Sequence, residues 1–200
     1  MSEHKSGYVN IIGSPNVGKS TLMNELVGEK LSIITSKAQT TRHRILGIVN
    51  QPDYQVVFSD TPGVVNSSYK LHDAMMSFVN NSLIDADIIL FITDPFEKQT
   101  NHIETLEKIK NCNVPVFCLI NKIDLLDQKG ILERINYWKE QVPNAEVFPI
   151  SALHKFNIDA VWDLILSKLP INPPYYGKEE LTDKPLKFFI SELIREKIFE

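Results

Sequence analysis

Gly13-Ser14-Pro15-Asn16-Val17-Gly18-Lys19-Ser20 is the stretch that decides the fold of this 200-residue chain. It follows an apolar run, Tyr8-Val9-Asn10-Ile11-Ile12, and precedes Thr21-Leu22-Met23-Asn24-Glu25-Leu26, giving the order strand, loop, helix. In that setting GxxxxGK(S/T) is the pattern of a phosphate-binding loop. Gly13 and Gly18 allow backbone conformations that a Cβ would penalise, so the N–H groups of Ser14, Asn16 and Val17, on either side of Pro15, can converge on one anion site. The helix that starts near Lys19 and Thr21 adds the positive end of its dipole. Lys19 can then reach the β- and γ-phosphates as a point charge, and the Ser20 hydroxyl is placed to ligate magnesium. The expected ligand is a magnesium-bound nucleoside triphosphate, with the base left open by the loop alone.

The flanking segments alternate in type. Ile45 to Asn50 and Tyr54 to Ser59 are two strands joined by Gln51-Pro52-Asp53, a hairpin signature. Asp87 to Thr93 and Val114 to Ile120 are apolar throughout, as expected of strands buried on both faces. Val147 to Ile150 is a further short strand. Helices are expected at about 71–83, 101–110, 131–141 and 158–169. The implied fold is α/β, a mostly parallel six-stranded sheet with one antiparallel strand at an edge and helices on both faces. Ligands of such sheets sit at the carboxyl ends of the strands, and every motif of interest lies there.

Asp60-Thr61-Pro62-Gly63 leaves the second hairpin strand, where a carboxylate can hold magnesium through water. Gly63 can offer its N–H to a γ-phosphate and flex when that phosphate leaves. Asn121-Lys122-Ile123-Asp124 ends a buried strand and is the expected base selector. A fixed Asp124 carboxylate accepts two hydrogen bonds from guanine, from N1–H and the 2-amino group; adenine offers neither. Guanine is therefore the predicted base. Asn121 and Lys122 are expected to brace neighbouring loops and the flat face of the base. In Ser151-Ala152-Leu153 the backbone of Ala152 is expected to meet guanine O6. Thr40 and Thr41 lie in the irregular loop before the hairpin; Thr41, next to Arg42, is the choice for closing over the γ-phosphate and magnesium. Arg42, His43 and Arg44 are read as a solvated basic cluster.

The net charge of -4 provides no global field toward nucleic acid, DNA included, or toward an anionic membrane. Cys112 and Cys118 are in no metal or redox spacing, and Cys118 is expected in the core. The polar start, Met1 to Ser6, carries no secretory pattern, and no apolar run is long enough to span a bilayer. The cytoplasm is the expected compartment. Pro170 to Pro185 reads as a linker, and in the segment after it Ile190, Leu193, Ile194 and Ile198 form one apolar stripe. The expected division is a nucleotide-binding domain at 1–170, a linker at 171–185 and the start of a second domain at 186–200.

GSPNVGKS, QTTRHR, DTPG, NKID and SAL, in this order and spacing, resemble the guanine-nucleotide motifs of the Era family of bacterial GTPases. LKFFISELIREKIFE is similar to the opening of the KH domain that follows the GTPase domain in that family. The resemblance implies GTP hydrolysis coupled to binding of small-subunit ribosomal RNA and to ribosome assembly, with some peripheral association with the inner membrane. RNA contact through a KH domain needs a GXXG loop, which these residues do not contain. Val64 stands where Ras-like GTPases carry a water-orienting glutamine, and valine neither donates nor accepts. Slow intrinsic turnover is therefore expected. The shared Pro-Asn-Val-Gly-Lys-Ser segment implies a potassium ion held partly by Asn16 that supplies positive charge; the alternative is that Asn16 only caps the loop. Three other readings stand beside the switch: an assembly factor whose hydrolysis times release, a different GTPase of the same class acting at the membrane or in cell-cycle control, and an ATPase, against which Asp124 argues.

Overall fold

A computed structural model describes residues 3–34, 44–60, 85–97 and 103–199, with the side chains of 103–105 and 199 excepted. The chain order is β1 (Lys5–Gly13), α1 (Lys19–Val27), β2 (Ile45–Asn50), β3 (Tyr54–Asp60), β4 (Ile88–Thr93), α2 (Ile103–Lys110), β5 (Val116–Ile120), α3 (Gln128–Gln141), β6 (Glu146–Pro149), α4 (Ile158–Lys168) and α5 (Leu186–Phe199). The strands form one six-stranded sheet in the order β2-β3-β1-β4-β5-β6. Among the described strands, only β2 is antiparallel to its neighbour. The helix expected at 71–83 falls outside the described residues.

Side-chain alternation explains why the central strands carry no polar face. Ile88, Leu90 and Ile92 point into one cluster with Leu22, Leu26, Val161 and Ile165, whereas Ile89 and Phe91 point into the opposite cluster with Leu106, Cys118 and Trp138. A strand packed by helices on both sides has no solvated side, so its sequence runs apolar without a period of two. Trp138 is fully buried and meets Phe91 edge-on at 5.5 Å. Cys118 is buried, which pushes its thiol pKa up, as befits a small core residue.

β1 lies between β3 and β4, so successive connections leave it in opposite directions, and the crevice beyond its carboxyl end is the topological switch point. Gly18 caps α1 at φ 102°, and Gly28 closes it at φ 80° with its N–H on Asn24 O. The phosphate-loop pattern therefore sits at the predicted strand-to-helix turn.

The segment read as a linker is bound along its length to the sheet. Ser6 N donates to Pro170 O, and Ser6 Oγ donates to Pro173 O at 2.6 Å. The buried Gln55 amide accepts from the N–H groups of Tyr175 and Tyr176 and donates to Tyr176 O and Asn50 Oδ1. Farther on, Ile48 N donates to Leu181 O and Leu46 N to Asp183 Oδ1, so the segment covers the outer edge of β2. It is a strap, and a free tether is the wrong picture. The proline and charge content that suggested a linker is also what an extended edge cover needs, since prolines need no backbone donor.

α5 begins where the strap ends. Phe188 and Phe189 pack on the main core, and the carboxylate of Glu196, buried, accepts from Lys30 Nζ at 2.7 Å and Ile34 N at 3.1 Å. Ile190, Leu193, Ile194 and Ile198 remain about half exposed or more. One side of the helix is thus docked on the first domain, while the apolar stripe faces outward.

Candidate guanine-nucleotide site

The two glycines of the phosphate loop are required by close approach. A Cβ on Gly13 would lie 2.1 Å from Ile92 O, and one on Gly18 would lie 2.2 Å from Asn121 Nδ2. The loop is pressed between β4 and the segment after β5, and nothing larger than glycine fits. Asn16 takes a left-handed conformation at φ 63°, which turns the loop at its tip.

Lys19 is buried at the floor of this loop, where Nζ donates to Ser14 O at 2.7 Å. Desolvation pulls its pKa down to about 8, against the opposing pull of the Asp60 and Glu97 carboxylates. An ammonium held this way gains most from an anion brought close to it. Ser20 Oγ donates to Asp60 Oδ2 at 2.7 Å, so two of the three predicted magnesium positions are brought together, although they are 40 residues apart. A hydroxyl and a carboxylate are hard oxygen donors of the kind magnesium prefers. Among the described residues no group of three or more His, Cys, Asp or Glu side chains is placed to hold a metal ion.

The base-reading segment is tied to the phosphate loop by side chains. Asn121 Nδ2 donates to Val17 O at 2.8 Å, and its Oδ1 accepts from Ala152 N at 2.9 Å. One buried amide thus spans the loops after β1, β5 and β6. Lys122 Nζ donates to Asn16 O at 2.6 Å. Asp124 lies in a single 3-10 turn, Ile123–Leu125, and its Oδ1 accepts from Ser151 Oγ at 2.6 Å. That bond holds the carboxylate in a fixed plane, as base selection demands. The Ala152 N–H, expected at guanine O6, donates to Asn121 Oδ1 at 2.9 Å. Leu153 is largely exposed beside it.

Thr40, Thr41, Arg42, His43, Thr61, Pro62, Gly63 and Val64 lie outside the described residues. Arg44 is described, and the solvated role expected for it is corrected. Its guanidinium donates to Ser59 Oγ, Asp85 Oδ2 and Asn10 Oδ1, and Asn10 Nδ2 in turn donates to Asp85 Oδ1. Buried polar partners on β1 and β3 draw the side chain inward, and no local pattern announces them. Sequence reasoning also missed Asp94, which follows β4 and faces Lys122, and the buried Glu97. A carboxylate at the carboxyl end of a strand beside β1 was the available signal.

A sequence profile of the family described as 50S ribosome-binding GTPase matches residues 8–122. GTPase Era of Staphylococcus haemolyticus is 43% identical over 199 residues, which cover 99% of this chain and 67% of that protein. A crystal structure of Era in complex with MgGDPNP and nucleotides 1506–1542 of 16S ribosomal RNA is similar at 42% identity with a TM-score of 0.90, over 97% of this chain and 67% of the other. An Aquifex aeolicus Era variant bound to GDP and aluminium fluoride is similar at 41% identity with a TM-score of 0.90, over 96% and 66%. With its phosphate loop, its paired Ser20 and Asp60 and its braced Asp124 in one crevice, the chain belongs to the Era family of GTPases.

Proposed function

We propose that this chain is a magnesium-dependent switch that binds guanine nucleotides and hydrolyses GTP, with residues 13–21, 60–64, 121–124 and 151–153 as its nucleotide site. The observation that carries the reading is the Asn121 amide, which joins the phosphate loop to the base-reading loops and so fixes the distance between polyphosphate and purine. Asp124, held by Ser151, accepts from guanine N1–H and the 2-amino group. Lys19 offsets the charge of the β- and γ-phosphates. Magnesium would be held by Ser20 directly and by Asp60 through water, with Thr41 joining when the triphosphate is bound; it would neutralise charge developing on the phosphate oxygens. Gly63 would donate its N–H to the γ-phosphate. With valine at 64, no side chain there orients the attacking water, so unassisted turnover is slow, on the order of the Ras rate without its activator or somewhat faster. A potassium ion held partly by Asn16 would add positive charge at the same phosphates; equal turnover in sodium and potassium would remove that role.

The partner proposed is small-subunit ribosomal RNA, as in the Era complex described above. Residues 1–170 are proposed as the GTPase domain and 186–200 as the opening of a KH domain, a reading supported by the outward apolar stripe of α5. No described helix is long and apolar enough to cross a membrane; peripheral association with the inner membrane is part of the same proposal. In a second reading hydrolysis serves only to time release from RNA; GTP-dependent binding to small subunits that survives loss of hydrolysis would favour it.

The test is equilibrium binding of GTP, GDP, ATP and XTP with and without magnesium. Tight binding of GTP and GDP alone, with the GTP affinity reduced when magnesium is removed, is expected. Equal affinity for adenine and guanine nucleotides would overturn the base assignment.

A further inference from the structure

We propose that Asp94 is a positioning residue for guanine-nucleotide binding, the counter-ion that keeps the Lys122 ammonium on the phosphate loop. Nothing in the nucleotide motifs names it. It follows the last residue of β4, the strand that runs beside β1 with Ile92 opposite Gly13, so its side chain arises at the same crevice. Its Oδ1 accepts from Phe96 N at 2.9 Å and Glu97 N at 3.2 Å, which fixes the turn. Its Oδ2 lies 3.5 Å from Lys122 Nζ, and the same ammonium donates to Asn16 O at 2.6 Å.

Lys122 and Asn16 are both left-handed, at φ 60° and φ 63°, a region that penalises a Cβ. The single ammonium that ties them is therefore holding two strained turns, one in the base-reading loop and one at the tip of the phosphate loop. Such a tie needs a charge partner to stay in place when solvent competes for it. The side chains of Lys122 and Asp94 are 35% and 18% exposed, so screening weakens the pair without cancelling it. Together with Asn121, Asp94 makes the loops after β1, β4 and β5 one preorganised unit, which lowers the ordering cost of taking up nucleotide.

The inference rests on the reading of this crevice as a guanine-nucleotide site, and its test separates the two. Asp94→Asn keeps an oxygen to accept from Phe96 N and Glu97 N but removes the charge facing Lys122. The affinity and dissociation rate of a fluorescent GDP analogue are measured on the full chain for wild type, Asp94→Asn, Lys122→Met and the double variant, with the thermal midpoint of each. Asp94→Asn is expected to weaken binding about threefold to tenfold, mainly through faster dissociation, with little change in midpoint. In the Lys122→Met background the same change should have no further effect, because the partner is gone. An Asp94→Asn protein that binds as wild type does, or one whose loss adds in full to that of Lys122→Met, overturns the role. A wild type that binds no guanine nucleotide overturns both the role and the reading of the site beneath it.

Discussion

The crevice at the carboxyl ends of the strands and the strap along the outer edge of the sheet are built from the same materials, yet they differ in how the chain encodes them. In the crevice, position is set by short spacings and by backbone geometry: Gly13 and Gly18 admit no Cβ, and Ser20 follows Lys19 into the first turn of α1. On the strap, position is set by several distant partners, among them Gln55, whose amide bonds residues about 120 positions away. A motif can be recognised when local conformation forces its composition. A docked extended segment has no such requirement, since every residue offers a backbone C=O and every residue but proline an N–H. The crevice should therefore be broken by changes in chemistry that leave the fold standing, and the strap by changes in stability that leave the chemistry standing.

The largest effect is expected at Asp124. Asp124→Asn exchanges an acceptor for a donor while keeping the oxygen that Ser151 can bond, so the guanine-to-xanthine preference should shift on the order of 10³-fold to 10⁴-fold with little loss of stability. Competition binding of GDP and XDP measures it. Unchanged preference would show that the carboxylate does not read the base.

Next comes the pH dependence of nucleotide affinity. Lys19 has a pKa of about 8 in the protein as described, and phosphate beside it must raise that value, so binding takes up a proton. Affinity should be level below about pH 8 and fall above it by up to about tenfold per pH unit until the bound-state pKa is reached. Isothermal titration of GDP from pH 7 to pH 9.5, in buffers of different ionisation enthalpy, checks both the slope and the proton. A flat profile would mean that Lys19 does not meet the phosphates.

The smallest effect on nucleotide binding, and the sharpest contrast with the crevice, is expected at Gln55. Gln55→Leu removes an amide that makes four hydrogen bonds from a fully buried position. Stability should fall by about 2 to 4 kcal/mol, because the N–H groups of Tyr175 and Tyr176 lose their acceptor. The 170–185 segment should become cleavable by protease, while GDP affinity stays within about twofold of wild type. Urea unfolding and limited proteolysis read the two parts. A large loss of GDP affinity instead would show that strap and crevice are coupled.

Much of the site was legible because its residues recur at strand ends in fixed order. The spacing of Gly18, Lys19 and Ser20 gave the turn into α1, and the apolar run from Val116 to Ile120 gave the strand that delivers Asn121. The partnerships were harder to read. Asn121 bonding Ala152, Ser151 orienting Asp124 and Arg44 pairing with Asp85 all join residues 27 to 41 positions apart through side chains whose directions no period records. The docking of α5 was half legible: its outward stripe follows from helical spacing, whereas the burial of Glu196 against Lys30 and Ile34 does not.

By itself the sequence determined the α/β class, the strand-loop-helix turn proposed to receive phosphate and the acid proposed to select the purine, because each depends on local backbone geometry or on the chemistry of one residue type. Only the tertiary structure decided that a proline-rich stretch is a strap, that an arginine is an internal brace and that Asp94 faces Lys122. Those outcomes depend on which distant groups the sheet order brings within hydrogen-bonding distance, and hydrogen-bonding potential is spread too evenly along a chain to mark its partner in advance.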